Sequence, residues 1–498
     1  MLFSSYGFVG VFLPLTLAGF ALAGRMGADA ARVWLVAASL VFYGWWNVVF
    51  LPLLLASVVG NFAIARLIAR LPDASAARRR VLVCGIAANL AALAWCRYLP
   101  DWLAGLNGWI DTGLRLDDPL VPLGISFFTF TQIGYLLDCA AGIEERRRFL
   151  DYLLFVSFFP ALIAGPIQTS RETMAQIAER PRWSLSAEDL AVGAGLFLIG
   201  LLKKTLLADP LAGTVAAGFA DPHGLGLLAA WQVALSWSMQ LYFDFSGYSD
   251  MAIGLARMVG LRYPLNFNSP YKARSVIEYW QRWHMSLTRF FMASLHAPMT
   301  MAMMRRRRAR GLRTDRVAQR RPAGFAAMLL LPLCATMALA GVWHGAGLTF
   351  LVFGLLHGVF LAVNHAWRLW RPRVGSSALV ARMGQVALTY VCVLAGAVIF
   401  RAPTLEAAGS VLAGMAGLHG GSLPAPTFKG LEDAAVLAGL GMLVWAAPNS
   451  QQIMGMAQQS AARWQWRPSL PWAMAFGCAG TLGLLSMGGT AEFLYFRF

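Results

Sequence analysis

Residues 339–367 read LAGVWHGAGLTFLVFGLLHGVFLAVNHAW. Of its three histidines two, His344 and His357, interrupt a run that is otherwise almost wholly apolar, and a glycine follows each. A run of this kind is a membrane span, since about 20 apolar residues cross a bilayer core. Ionisable groups at that depth are costly and often mark function. The bland alternative is a buried histidine that is simply hydrogen-bonded within a helix bundle, and these residues alone leave both readings open. On one continuous helix a spacing of thirteen would set the two rings about 140° apart. Gly345 and Gly347 offer a break instead. His344 is then expected at a turn, with His357 inside the next span, about 16 Å from the edge marked by Arg368.

The rest of the chain has the same character. Of 498 residues 58% are hydrophobic and only 13% charged, with a mean hydropathy of +0.58. Soluble domains are nearer half apolar and a quarter charged. The expected fold is therefore an all-α polytopic membrane protein, a single transmembrane domain over 1–498 with no separate soluble domain. Spans are expected near 2–23, 33–44, 48–66, 81–95, 119–138, 188–220, 226–250, 323–343, 348–366, 383–400, 431–447 and 471–488, eleven or twelve in all.

The net charge of +17 could signal nucleic acid, but in a membrane protein excess Arg and Lys mark cytoplasmic loops. No nucleic-acid partner is expected, and anionic lipid headgroups are. The N-terminal stretch has no basic residue before its apolar run, and Arg25 follows it. This argues against a cleaved leader and for a first helix with its N-terminus outside. Alternating the spans from there puts Arg66, Arg70, Arg78 to Arg80, Arg146 to Arg148, Arg257, Arg262, Arg305 to Arg308, Arg368, Arg371 and Arg373 on the cytoplasmic side. The acid-leaning loop 101–120 falls outside.

Residues 151–172, DYLLFVSFFPALIAGPIQTSRE, are apolar but basic at both flanks, with Pro160 and Gly165 inside. A re-entrant element is expected, because irregular backbone at membrane depth must be buried in protein or line a cavity. Residues 288–304 are a second candidate for one. The run 305–321 reads as a solvated cytoplasmic loop. Cys84, Cys96, Cys139, Cys334, Cys392 and Cys478 form no CxxC pair and read as small buried apolar residues. No disulfide framework and no metal site is expected.

Residues 240–260, QLYFDFSGYSDMAIGLARMVG, carry Asp244 and Asp250 with Tyr242, Ser246, Tyr248 and Ser249. They read either as the wall of a polar cavity or as a helix-packing network; packing is favoured for Asp250. Residues 275–291, SVIEYWQRWHMSLTRFF, alternate charged and apolar positions like an amphipathic interfacial helix, with tryptophans at headgroup level and His284 an interface residue.

Together with 266–291 and 343–358, these stretches resemble the membrane-bound O-acyltransferases (MBOAT), in their bacterial alginate O-acetyltransferase-like branch. Agreeing in order are PLGISFFTFTQIGYLLD, FVSFFPALIAGPIQ, FRAPTLEAAGSVLAGM, PNSQQIMG and the terminal FLYFRF. The likeness runs from about 120 to the end, with a motif-rich core at about 120–370. After WHMSLTRF the family usually continues with an acidic residue, aromatics and IPLGG; this chain has FMASLHAPMTMAMMRRRR, with His296 new.

The resemblance implies the MBOAT fold, with helices ringed around a thinner centre. It also implies transfer of an acyl group, acetyl foremost, from a cytoplasmic thioester such as acetyl-CoA to a hydroxyl on the outer side. The acceptor is an exported polysaccharide or a periplasmic acyl-transfer partner, and the location a bacterial inner membrane. No bound cofactor is implied. The family's essential histidine falls on His357 and its second on His344. His357 is the expected general base and His344 a tunnel-lining or orienting group. Trp343 and Asn364 are candidate supports, and Asp244, Ser246 and Tyr248 candidate tunnel residues. His223, His365 and His419 read as loop or interface positions. A lipid or acyl-carrier transporter would also use intramembrane His and Asp, but no inverted repeat is visible.

Overall fold

The computed structural model describes residues 1–99, 103, 107, 110, 121–143, 148–180, 183–371, 378–419, 428–456, 464–488, 493 and 494. Most of the loop 101–120 expected outside, Arg146, Arg147, Arg373 and most of the terminal FLYFRF lie outside the described residues.

The described chain is helical, with no strand among the described residues. Seven helices are long and apolar enough to cross a membrane: Phe8–Met26, Val48–Arg70, Ala76–Arg97, Ala187–Ala220, Pro322–His344, Leu348–Trp370 and Leu379–Arg401. Five more, Ala28–Trp46, Ile125–Ala140, Leu227–Met258, Phe428–Ala446 and Leu470–Leu485, coincide with the other expected spans. Local chemistry sets many boundaries. Ser75, Ser186 and Thr404 accept hydrogen bonds from backbone N–H groups three residues on, which satisfies donors that a helix start leaves open.

Contacts divide the chain into two compact units, each woven from several stretches. The first comprises Met1–Thr205, Phe245–Leu265 and Ser450–Phe496. Its expected cytoplasmic loops gather at one edge. Arg148 pairs with Asp29 at 2.7 Å, Arg32 with Asp29 and Asp151, and Arg257 with Asp189 at 2.8 Å. Arg180 bonds the carbonyl of Val259, and Gln176 that of Arg262. Loops far apart in sequence but alike in charge thus meet on one side, as the alternation of spans requires.

The stretch 151–168 is broken. A helix Phe149–Ser157 of nine residues ends at Phe158, and a four-residue helix Phe159–Leu162 follows. Nine residues reach about 14 Å, half of a core about 30 Å thick, so neither piece crosses alone. The second candidate for re-entry differs from expectation: residues 285–309 form one unbroken helical run. The run takes in Arg305 to Arg308 before it ends at Ala309, so the basic stretch begins as helix and turns only at Arg310 and Gly311. The cysteines also differ in part. All six are free, but Cys84 and Cys478 are exposed on apolar helices, where lipid rather than protein covers a spanning helix.

The second unit comprises Leu206–Asp244 and Asn266–Asn449. On one side, Trp231 bonds the Met415 carbonyl and His419 the Leu225 carbonyl, while His223 lies 3.2 Å from Ser410. On the other, Arg368 bonds Ser275 and Trp370 the carbonyl of Arg320.

Candidate active site

The stretch 339–367 folds as a helical hairpin. The first helix ends at His344, Gly345 takes an extended conformation, and the second begins at Leu348. The break thus falls where the glycines allow it. The two helices touch backbone to backbone. A side chain at Gly354 would lie 2.1 Å from the Met337 carbonyl oxygen, and one at Gly358 would lie 2.8 Å from the Cys334 α-carbon. Small residues four apart are a recurrent means of close helix approach in membranes.

His357, between these glycines, is 1% exposed. Four aromatic rings surround it: Phe353 at 4.8 Å between centroids, Trp280 at 5.2 Å, Phe360 at 5.8 Å and Tyr279 at 6.4 Å. The Trp280 indole N–H donates to His357 Nδ1 at 3.2 Å. The opposite nitrogen, Nε2, faces Gly396, where a built methyl group would approach to 2.4 Å.

His344 does not touch His357. Phe353 stands between them, with its ring 6.3 Å from one imidazole and 4.8 Å from the other. His344 also lies edge-on to Phe400 at 5.0 Å and beside Trp343 at 4.7 Å.

Two cavities flank His357. The larger, about 540 Å³, is lined by Arg274, Ser275, Glu278, Phe360, Asn364 and Arg368 among others. It lies toward the Arg368 end of the helix, and the Asn364 side-chain oxygen has no hydrogen-bond partner among the described residues. The smaller, about 260 Å³, is mostly apolar and is bordered by Trp280, His296, Thr336, His344, Phe353 and His365. Phe360 lines one cavity and Trp280 and Phe353 the other; His357 itself lines neither and lies behind these rings.

Other expectations change. Residues 275–291 are not one amphipathic helix at the interface. A five-residue helix Val276–Trp280 and a seven-residue helix Met285–Phe291 are separated at His284, whose φ is +43°. Trp280, Trp283 and His284 are buried, not at headgroup level. His284 Nδ1 lies 3.0 Å from the Asn266 side-chain oxygen, which also accepts from the Ser286 hydroxyl at 2.9 Å. The Met285 N–H bonds the Asn266 carbonyl and the Asn268 N–H the Arg282 carbonyl. Asn449 in turn bonds Asn268 and Ser269. Three motifs that are separate in sequence, NFNSPY, RWHMSL and PNS, thus form one polar knot, which holds the Trp280 segment against the His357 helix.

Asp244, Ser246 and Tyr248 are buried and line neither cavity. Tyr248 stacks on Phe3 at 4.9 Å and Phe493 at 4.2 Å. Asp250 pairs with Lys203 at 2.6 Å, as its packing reading expected. Asn364 lines the larger cavity, and Trp343 lies between His284 and His344. His365, read as an interface position, borders the smaller cavity with His296. Sequence reasoning missed Trp280, Gly396 and the buried state of His284. Among the described residues no group of three His, Cys, Asp or Glu is placed to hold a metal.

Helices of this length and hydropathy, packed around a histidine buried in mid-span between two cavities, define an integral multi-pass membrane protein with a candidate reaction centre inside the bilayer. Residues 125–314 match the model of the membrane-bound O-acyltransferase family. A peptidoglycan O-acetyltransferase of Helicobacter pylori is 36% identical over 450 residues, 85% of this chain and 81% of that protein. The protein named "Probable alginate O-acetylase AlgI" in Pseudomonas aeruginosa is 35% identical over 413 residues, 82% of this chain and 73% of its own. A teichoic acid D-alanyltransferase of Bacillus subtilis is 26% identical over 254 residues, 50% of this chain and 60% of its own. The chain belongs to the membrane-bound O-acyltransferase family.

Proposed function

We propose that this protein is an O-acyltransferase of a bacterial inner membrane. It moves a short acyl group, acetyl foremost, from a cytoplasmic thioester such as acetyl-CoA to a hydroxyl of an exported polysaccharide or of a periplasmic acyl carrier. The observation that carries the reading is the position of His357, fully enclosed near the middle of a spanning helix by rings that line two cavities. Two relatives named as O-acetyltransferases of cell-surface polymers support the acyl group and the acceptor class. The larger cavity suits the donor. Arg274 and Arg368 border it, and guanidinium groups recognise phosphates through charge-assisted hydrogen bonds.

In this mechanism His357 is the general base. The acceptor hydroxyl gives its proton to the imidazole as its oxygen attacks the acyl carbon. The tetrahedral intermediate collapses, the C–S bond breaks, and the departing thiolate takes the proton back. A positioned base is worth about 10² to 10⁴ in rate. His344, behind Phe353, has no contact with the base and serves as a cavity-lining group.

The test is ester content of the exported polymer in a deletion strain complemented with His357→Ala or His357→Gln, with protein levels checked by blot. Transfer should be lost in both, since an amide cannot take up the proton. Near-normal acylation by well-expressed His357→Ala would refute the reading.

A further inference from the structure

We propose that Nδ1 of His357, not Nε2, is the nitrogen that accepts the acceptor's proton, and that the Trp280 indole N–H holds the acceptor hydroxyl's place at rest. The inference rests on His357 being the base and goes on to say which face of the ring works and what guards it.

An indole nitrogen only donates. Its hydrogen bond to Nδ1 therefore leaves that nitrogen bare, and the neutral ring carries its proton on Nε2. Nε2 points at Gly396, so closely that one methyl group there would overlap it. On the Nδ1 side Trp280 covers the ring, and Trp280 itself borders the smaller cavity. One side chain thus covers the bare nitrogen and separates it from an open volume.

A hydroxyl that replaces the indole N–H makes the same kind of hydrogen bond to the same lone pair. The exchange leaves the number of bonds to the ring unchanged. The exchange needs only the Trp280 side chain to turn, while the polar knot at His284 keeps the segment that carries it in place. The proton balance is then specific. The O–H proton passes to Nδ1 as the C–O bond forms, and the ring is briefly protonated at both nitrogens. Cleavage of the C–S bond then releases a thiolate that removes the Nδ1 proton. Nε2 keeps its proton throughout. Trp280 is a positioning residue here: it biases the tautomer and shields the base.

The chemistry separates the two nitrogens. Methylation of Nδ1 forces a neutral ring to leave Nε2 bare. Full-length protein carrying Nδ1-methylhistidine at position 357 should therefore lose at least about 100-fold in transfer if Nδ1 is the base. It should stay active if Nε2 is, and that result overturns the inference. The resting state can be read without activity, by ring-¹⁵N spectra of histidine-labelled protein in lipid nanodiscs. The His357 signals are assigned by their loss in His357→Gln. Nε2 should appear proton-bearing and Nδ1 bare and hydrogen-bonded. In Trp280→Phe, which keeps a ring but removes the donor, the Nδ1 signal should move toward that of a bare nitrogen without a donor, with little change in thermal stability. A proton found on Nδ1 at rest, or His357 signals unmoved by Trp280→Phe, would also overturn it. Activity in His357→Ala sinks the base itself. Inactivity there with activity in the Nδ1-methyl protein sinks only the choice of nitrogen.

Discussion

Gly396 and His357 are in direct apposition: a β-carbon added to Gly396 would stand 2.4 Å from the imidazole Nε2. Gly396→Ala must push the ring off its place or spread two helices. Overpacking of this kind costs about 1–3 kcal/mol, and a displacement of about 1 Å at a reacting group can cost about 10² in rate. Transfer should fall by one to two orders of magnitude while the protein still inserts and accumulates. Wild-type polymer acylation in Gly396→Ala would mean that the ring is not confined there.

The two histidines should differ in weight. His344 lines the smaller cavity but is screened from His357 by Phe353. His344→Ala should therefore retain part of the transfer that His357→Ala loses. Initial rates in membranes from matched strains compare them, and an equal loss in both would give His344 a direct part in the chemistry.

Arg274 and Arg368 border the larger cavity. A hydrogen bond from a charged donor contributes about 1.5–3 kcal/mol. With acetyl-CoA as donor, Arg274→Gln and Arg368→Gln should each raise the apparent KM about tenfold or more and change kcat less. Saturation curves in inverted membrane vesicles measure this. If KM stays put in both variants, donor phosphates do not bind at this mouth.

Topology can be tested apart from activity. On a cysteine-free background, a cysteine at Arg310 should react with an impermeant reagent only after the cells are opened. Reporters fused before residue 149 and after residue 172 should report the same compartment. Labelling at 310 in intact spheroplasts, or opposite signals from the two fusions, would overturn the orientation or the re-entry respectively.

The Lys203–Asp250 pair lies inside the first unit, with Ser450 at 3.3 Å from the ammonium group. Removing one partner of a buried pair typically costs about 3–5 kcal/mol, because the other charge is stranded. Lys203→Met should lower the unfolding temperature in detergent clearly, and Lys203→Met with Asp250→Asn should restore much of it. Equal melting of the single and double variants would show that the pair is not the source of the loss.

The spans were legible because a bilayer imposes a length and an apolar composition that any window of sequence displays. The turn after His344 was legible from Gly345 and Gly347. What escaped was tertiary. In 275–291 the pattern of charges fits an interfacial helix because Glu278 and Arg282 do pair on a half-exposed side, at 2.7 Å. The left-handed backbone at His284 that ends the pattern has no glycine to announce it. The partners that bury Trp280 and His284 come from Asn266 and from the His357 helix, 18 and 77 residues away in sequence. Asp244, Ser246 and Tyr248 looked like a cavity wall because polar side chains in a span demand satisfaction, and sequence does not say whether water or protein provides it.

The aromatic collar of Trp280, Phe353 and Phe360 around His357 also bears on the cell's energy supply. A reaction that draws one substrate from each side of a membrane brings two openings close to one point. If water ever joined them, protons would run down a gradient worth about 2.3 kcal/mol per charge for every 100 mV. A ring of large side chains around the base would act there as an insulator. On the proposed mechanism it would leave the bilayer electrically tight while an acyl group, which carries no charge, is handed across.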